Sequence, residues 1–119
     1  MTARNCLPNL AGLDAFPELT HLSVPSGKLL KSLEGLEKCR KIEFLDINFT
    51  NVSDLSPIPK GNIAHIRMRK TQVSSLEPLF PAPKMKTLYA EKAKLSSLDG
   101  IADGMPNLEF LWVFDTKIK

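Results

Sequence analysis

The chain has 119 residues, of which 43% are hydrophobic and 24% charged, a composition typical of a soluble globular protein and not of a disordered or fibrous one. No apolar run approaches the roughly 18 residues of a membrane span, and the N-terminal segment lacks the apolar core of a signal peptide, so we expect a cytoplasmic protein. The formal net charge of +3 arises from interleaved bases and acids, which does not indicate a nucleic-acid-binding tail.

Aliphatic residues recur along the chain in a fixed pattern, and we number residues by their position within a repeat unit. Units start at residues 19, 42, 63, 85 and 108, and a partial unit covers residues 1–18. Apolar residues occupy positions 1, 4, 6, 11, 14, 17 and 20 of a unit. The partial unit contributes Leu7, Leu10, Leu13 and Phe16, and the first full unit contributes Leu19, Leu22, Val24, Leu29, Leu33, Leu36 and Cys39. Stacked units of this length share one core, so we expect residues 1–119 to form a single domain.

Each unit combines two kinds of local pattern. Its first half alternates apolar and polar residues, as residues 63–69 do, which is typical of a strand with positions 4 and 6 buried. Its second half carries an aliphatic residue about every third position, with Pro57, Pro59, Pro78, Pro81 and Pro83 among them. Proline lacks an amide hydrogen, so this half is predicted to form 3₁₀ turns or extended coil instead of full α-helix.

The pattern resembles the leucine-rich repeat, L-x-x-L-x-L-x-x-N/T-x-L. The segments 49–58 and 71–79 are similar to the T-x-V-S-D-L-S-P-L signature of the short bacterial repeats related to internalins. The resemblance implies an α/β-type solenoid with a short parallel sheet on the concave face and 3₁₀ or irregular structure on the convex side. The chain departs from the asparagine form at position 9, which is occupied by Gly27, Thr50, Thr71, Ala93 and Thr116. Threonine hydroxyls can supply some of the backbone bonds that asparagine would make, whereas glycine and alanine cannot.

Positions 3, 5, 7 and 8 of each unit point away from the core and form an ordered array on the concave face. Six of the eight aromatic residues of the chain fall in this array, although a solvated sheet face does not require them. Interface hot spots are enriched in tryptophan, tyrosine and arginine. Tyr89 and Trp112 share position 5 of adjacent units and should lie about 5 Å apart, with Arg67 next in line. We predict that the partner-binding residues are Phe44, Asp46, Arg67, Arg69, Tyr89, Glu91, Phe110, Trp112 and Phe114.

The chain offers no pattern typical of an enzyme or a metal protein. His21 and His65 share position 3 but lie two strand spacings apart, roughly 10 Å, which is too far to bind one metal ion without other ligands. No nucleophile and base pair, phosphate-binding loop or paired carboxylates occur, and Cys6 and Cys39 belong to no metal-binding motif. We therefore expect a protein without cofactors that binds one protein partner, with a stoichiometric inhibitor or a toxin-immunity protein as the leading hypothesis.

Other interpretations of the same residues stay open. The chain is alternatively a fragment or subunit of a larger adhesion, effector or adaptor protein, since the first and last units are incomplete. The open edge of the final strand has three competing interpretations: further repeats cover it in a longer protein, the ends pair in a dimer, or the partner adds a strand there. A missing C-terminal cap would alternatively cover Phe110, Trp112 and Phe114. A less favoured hypothesis is an RNA-binding accessory protein, in which basic residues near the third and fourth units contact the RNA. These residues are Lys60, Arg67, Arg69, Lys70, Lys86, Lys92 and Lys94. Acidic neighbours interrupt them, so an acidic stretch on a protein partner fits this face better.

Overall fold

The computed structural model describes residue 10 and residues 12–24 and 29–113. Within these ranges the chain forms one five-stranded parallel sheet with the strand order β1-β2-β3-β4-β5. The strands are β1 (His21–Ser23), β2 (Phe44–Asp46), β3 (His65–Arg67), β4 (Thr87–Tyr89) and β5 (Phe110–Trp112). Each strand comes from one repeat unit, so the predicted parallel sheet with a neighbour-to-neighbour order is confirmed.

The strand register places equivalent residues of successive units side by side. Position 4 runs across the sheet as Leu22, Leu45, Ile66, Leu88 and Leu111. The first four of these side chains are almost completely buried, and Leu111 is partly buried. Because the register is constant, the differences of one or two residues between unit lengths are absorbed in the loops and not in the sheet.

The chain returns from one strand to the next through short and irregular segments, as the repeat pattern predicts. Three-residue 3₁₀ helices occur at Leu13–Ala15, Leu36–Lys38 and Glu77–Leu79, and a four-residue α-helix, α1, covers Ile101–Gly104. Three of these turns begin after a glycine with positive φ, namely Gly12, Gly35 and Gly100. A side chain at these positions would strain the backbone. None of the helices in the described ranges is long and apolar enough to cross a membrane.

The aliphatic positions form one continuous core between the sheet and the return segments. Each fully buried leucine, isoleucine or valine contributes roughly 1.5–3 kcal/mol relative to an exposed one. Two predicted core residues are wrong: Leu29 is 54% exposed and Phe16 is 49% exposed. Leu30 is fully buried in place of Leu29.

The backbone shows why Leu30 takes the core position. The Leu30 carbonyl accepts a hydrogen bond from the Asn51 amide at 3.0 Å, just as the carbonyls of Val52 and Val73 accept from Gln72 and Lys94. Val52 and Val73 stand at position 11 of their units, so Leu30 is the equivalent residue. The extra residue of the first unit therefore precedes position 11 and turns the neighbouring Leu29 outward.

Threonines at position 9 bind the backbone inside the solenoid. The buried Thr50 hydroxyl donates to the Ile47 carbonyl at 2.8 Å, and the buried Thr71 hydroxyl donates to the Met68 carbonyl at 2.9 Å. In both units the acceptor is the residue at position 6, at the end of the strand. Ala93 occupies the same buried position without a hydroxyl. The expected substitution of threonine for asparagine is therefore confirmed at these two positions.

We predict that Thr71→Val lowers the free energy of unfolding by about 1–3 kcal/mol, because it leaves the buried Met68 carbonyl without its hydroxyl donor while preserving side-chain volume. Urea unfolding monitored by circular dichroism measures the change. Thr71→Ser retains the hydroxyl and serves as the matched variant. Equal stability of Thr71→Val and the parent chain would show that this hydrogen bond contributes nothing.

Phe80, one of two aromatic residues outside the concave array, fills the space between the third and fourth return segments. Its partly buried ring packs against Gly100 and Gly104, and a methyl group added at Gly104 would overlap the ring. The Gly104 carbonyl also accepts a hydrogen bond from the Ala82 amide at 2.7 Å, which fixes the backbone there. Glycine at position 104 is thus required by packing, although its φ is ordinary.

We expect Gly104→Ala to destabilise the fold by about 1–3 kcal/mol through overlap with the Phe80 ring, even though alanine favours helix over glycine. In a Phe80→Ala background the ring is gone, so the same change should cost much less. A double-mutant cycle of unfolding free energies measures the coupling. Additive effects of the two substitutions would contradict this packing.

Candidate functional site

The predicted binding residues lie together on the concave face, on the side of the sheet opposite the core. Phe44 and Asp46 are on β2, Arg67 is on β3, Tyr89 is on β4, and Phe110 and Trp112 are on β5. Arg69 lies two residues after Arg67, and Glu91 lies two residues after Tyr89. The alternation of outward and inward residues therefore continues beyond β3 and β4. Phe114 lies outside the described residues. Their distribution over four adjacent strands forms a continuous surface.

Five flat side chains, one from each strand, stack across this surface. The ring centroids of His21 and Phe44 are 5.6 Å apart, and those of Tyr89 and Trp112 are 5.2 Å apart. Between them, the Arg67 guanidinium carbon lies 5.7 Å from the Phe44 ring centroid and 5.5 Å from the Tyr89 ring centroid. We call this row, His21, Phe44, Arg67, Tyr89 and Trp112, the planar stack. His21 and Phe44 are register partners, and so are Arg67, Tyr89 and Trp112 on the next three strands, about 4.8 Å apart from strand to strand. Phe44 is paired with His65, so its contact with Arg67 runs diagonally across the sheet.

The planar stack is flanked by further aromatic contacts. Phe110 lies 6.2 Å from Trp112 on the same strand, and these two rings are 53% and 41% exposed. His65 tilts toward Phe44 at 6.5 Å, and its Nδ1 lies 2.7 Å from the Thr87 hydroxyl. The two histidines therefore take part in ring packing and side-chain hydrogen bonding. No group of three metal-binding side chains converges among the described residues.

A charged pair supports the stack from the end of the strands. The Arg69 Nε donates to Glu91 Oε2 at 2.5 Å, and the Arg69 guanidinium also lies 5.9 Å from the Phe49 ring centroid. Only 6% of the Glu91 side chain is exposed, whereas 49% of the Arg69 side chain is. The outward position predicts an accessible Glu91 carboxylate, but the structure buries it beside Arg69. This carboxylate therefore supports Arg69 and is not a freely exposed contact.

Three members of the planar stack and the charged pair line a shallow depression of about 420 Å³. Its lining comprises Asn48, Arg67, Arg69, Tyr89, Glu91 and Trp112. Asn48 was not among the predicted binding residues. Its Oδ1 accepts the Arg69 amide hydrogen at 2.8 Å, and the residue is 91% buried. The available signal was its register: Asn48 occupies position 7, as Arg69 and Glu91 do in the next two units.

The residue after each of these positions has an unusual backbone conformation. Phe49, Lys70 and Lys92, at position 8, have φ values of 63°, 53° and 61°. Left-handed φ is uncommon for residues with a side chain and costs of order 1 kcal/mol. The turn is repeated in three consecutive units, and each of these exposed residues directly follows a residue that lines the depression.

Comparison with known proteins gives one curated relative and several solved structures. No family model matches the chain. The human protein "Leucine-rich repeats and immunoglobulin-like domains protein 3" is 27% identical over 118 residues, which cover 95% of this chain and 10% of that protein. The chain thus spans about a tenth of the length of this relative.

Two internalins of Listeria monocytogenes have a similar structure. The crystal structure of an internalin (inlF) superposes with a TM-score of 0.60 and 24% identity over 89% of this chain and 38% of the internalin. That of internalin C2 superposes with a TM-score of 0.61 and 17% identity over 99% of this chain and 72% of the internalin. At these identities the likeness establishes the fold alone, which is the leucine-rich-repeat solenoid. The chain spans 38% of the length of the inlF internalin.

We predict that Arg69→Ala lowers the free energy of unfolding by about 1–3 kcal/mol, because it leaves the buried Glu91 carboxylate without its cation. The double variant Arg69→Ala/Glu91→Gln removes the unpaired charge and should recover part of the loss. Arg40→Ala, which removes an exposed arginine at the turn before β2, is the matched control. Chemical unfolding of the four proteins decides, and an Arg69→Ala protein as stable as Arg40→Ala would refute the supporting role.

Proposed function

We propose that this chain, a leucine-rich-repeat protein similar in fold to the internalins, binds another protein on its concave face and does not catalyse a reaction. The observation that carries the proposal is the planar stack, which spans all five described strands. Aromatic and arginine side chains are the residue types that contribute most to protein interfaces.

The stack is suited to binding because its side chains are already fixed. Each member contacts its neighbour on the next strand, so little rotamer freedom is left to lose when a partner binds. Phe49, Phe110 and Trp112 are each at least 39% exposed, which is a large apolar area for a sheet face in water. A partner that covers these rings removes that area from water and contacts a surface that needs no rearrangement.

Within this proposal we favour a stoichiometric inhibitor, such as a bacterial toxin-immunity protein acting in the cytoplasm. Two observations support this role. The side chains of the planar stack hold one another in place, and the sequence contains no motif typical of an enzyme. The alternative is that the chain is a repeat segment or subunit of a larger adhesion, effector or adaptor protein. Its correspondence to about a tenth of the human relative is compatible with that alternative.

The proposal predicts a partner that is lost when two rings of the stack are removed. The tagged chain and its Tyr89→Ala/Trp112→Ala variant are used to capture proteins from the native lysate, and each candidate is then purified and titrated. We expect the double variant to lose at least about 2 kcal/mol of binding free energy, as hot-spot residues do. Trp112 is the single tryptophan of the chain, so the tryptophan fluorescence of the parent chain should also change when the partner binds.

Phe16→Ala is the matched control, since it removes an aromatic ring that is 49% exposed but lies before β1 and outside the planar stack. It should bind the partner like the parent chain, and thermal melting should show all three proteins folded. A partner retained with equal affinity by Tyr89→Ala/Trp112→Ala would refute binding on the concave face. Recovery of RNA in place of protein would favour the basic residues as the site.

A further inference from the structure

Arg67 is the one charged member of the planar stack, and its surroundings leave its hydrogen-bond donors unused. Its Cζ atom lies over the Phe44 ring, 5.7 Å from the ring centroid, and over the Tyr89 ring, 5.5 Å from the ring centroid. Within the described part of the chain this guanidinium makes no ion pair and no hydrogen bond. Arg67 is exposed, so the five N–H donors of its guanidinium are accessible to a partner.

Each acidic group near Arg67 has a partner at one of its carboxylate oxygens, although the buried Glu91 Oε1 has no hydrogen-bond partner among the described residues. Asp46 is its register partner on β2, and Asp46 Oδ1 accepts the Asn48 amide hydrogen at 3.0 Å. Glu91 Oε2 is bound by Arg69. The neighbouring Lys70 and Lys92 are exposed and have no ion pair with any described residue. The depression therefore has an excess of positive charge around an arginine whose donors are unused.

We infer that Arg67 binds a carboxylate of an acidic segment in the protein partner, and that an apolar side chain next to this carboxylate lies in the depression against Tyr89 and Trp112. The inference rests on the proposed function, since it assigns the chemistry of what binds the same face. A stacked guanidinium is held in place and is weakly hydrated, and its planar donors match the two oxygens of a carboxylate. Lys70 and Lys92 add electrostatic attraction for further acidic residues of the segment.

The same geometry disfavours a nucleic-acid strand on this surface. Strands of RNA and single-stranded DNA bind through bases that stack on open aromatic faces. Here the faces of Phe44 are taken by His21 and Arg67, and the faces of Tyr89 by Arg67 and Trp112. A peptide with a few carboxylates and an apolar side chain fits these features better.

The experiment selects peptides from a displayed random library on the immobilised full chain. Selected peptides are synthesised with a fluorescent label and titrated with the parent chain and with Arg67→Ala, Arg67→Lys, Trp112→Ala and Arg40→Ala. We expect the selected peptides to share an aspartate or glutamate next to an apolar residue. Arg67→Ala, or replacement of that carboxylate by its amide, should weaken binding at least about tenfold.

Two controls separate a specific carboxylate contact from general charge. Arg67→Lys keeps the charge but loses the planar donors and the stacking, so it should also weaken binding clearly. Arg40→Ala removes one positive charge away from the concave face and should leave affinity within about twofold, since exposed charges at a distance are screened by salt. Thermal melting of each variant confirms that the fold is intact before affinities are compared.

The outcomes distinguish this inference from the proposed function. Peptides without acidic residues whose binding depends on Trp112 but not on Arg67 would overturn the carboxylate contact and retain the concave face. Peptides whose binding tolerates Trp112→Ala and Arg67→Ala would overturn both. Polyuridine, titrated in parallel, should not compete with the peptides. Polyuridine binding that is weakened by Arg67→Ala and displaces the peptides would overturn the acidic-segment assignment in favour of nucleic acid.

Discussion

The fold depends on the fact that no repeat unit can bury its own apolar edge. A three-residue strand and a short return segment expose most of their aliphatic side chains until the next unit packs against them. The core side chains of an inner unit are therefore buried only because the units on both sides pack against them. This constraint selects the constant parallel register, because a strand shifted by one residue would turn its core residue toward solvent.

The same register generates the candidate binding surface on the other side of the sheet. When inward residues are aligned across strands, the outward residues of those strands are aligned as well. Flat side chains at equivalent positions then meet at distances slightly above the strand spacing, as Tyr89 and Trp112 do at 5.2 Å. The contacts of His21 with Phe44 and of Tyr89 with Arg67 and Trp112 thus follow from the core register combined with the choice of side chains at the outward positions.

Polar groups near the strand ends hold this surface in place. Thr50 and Thr71 bind backbone carbonyls inside the solenoid, and Asn48 and Glu91 bind Arg69 on the concave side. Thr50, Thr71 and Asn48 each hydrogen-bond a backbone group and so restrict the backbone that follows their strands, whereas Glu91 pairs with the Arg69 side chain through Oε2 alone. Polar contacts therefore restrain the proposed binding surface near the strand ends, and ring contacts restrain it along the planar stack.

The sequence by itself determined the solenoid, its parallel sheet, the threonine bonds at position 9 and the neighbourhood of Arg67, Tyr89 and Trp112. These features follow from periodicity, and periodicity is local information. The exchange of Leu29 for Leu30 depended on where the extra residue of one unit lies, which the structure decided through the backbone bond from Asn51 to Leu30. Likewise, position 7 predicts that Glu91 points outward, but only tertiary packing decided that Arg69 covers it. Whether a side chain is buried depends on its neighbours in three dimensions. The pairs Arg69 with Glu91 and Arg67 with Phe44 each join residues of different units, and the repeat spacing predicts neither pair.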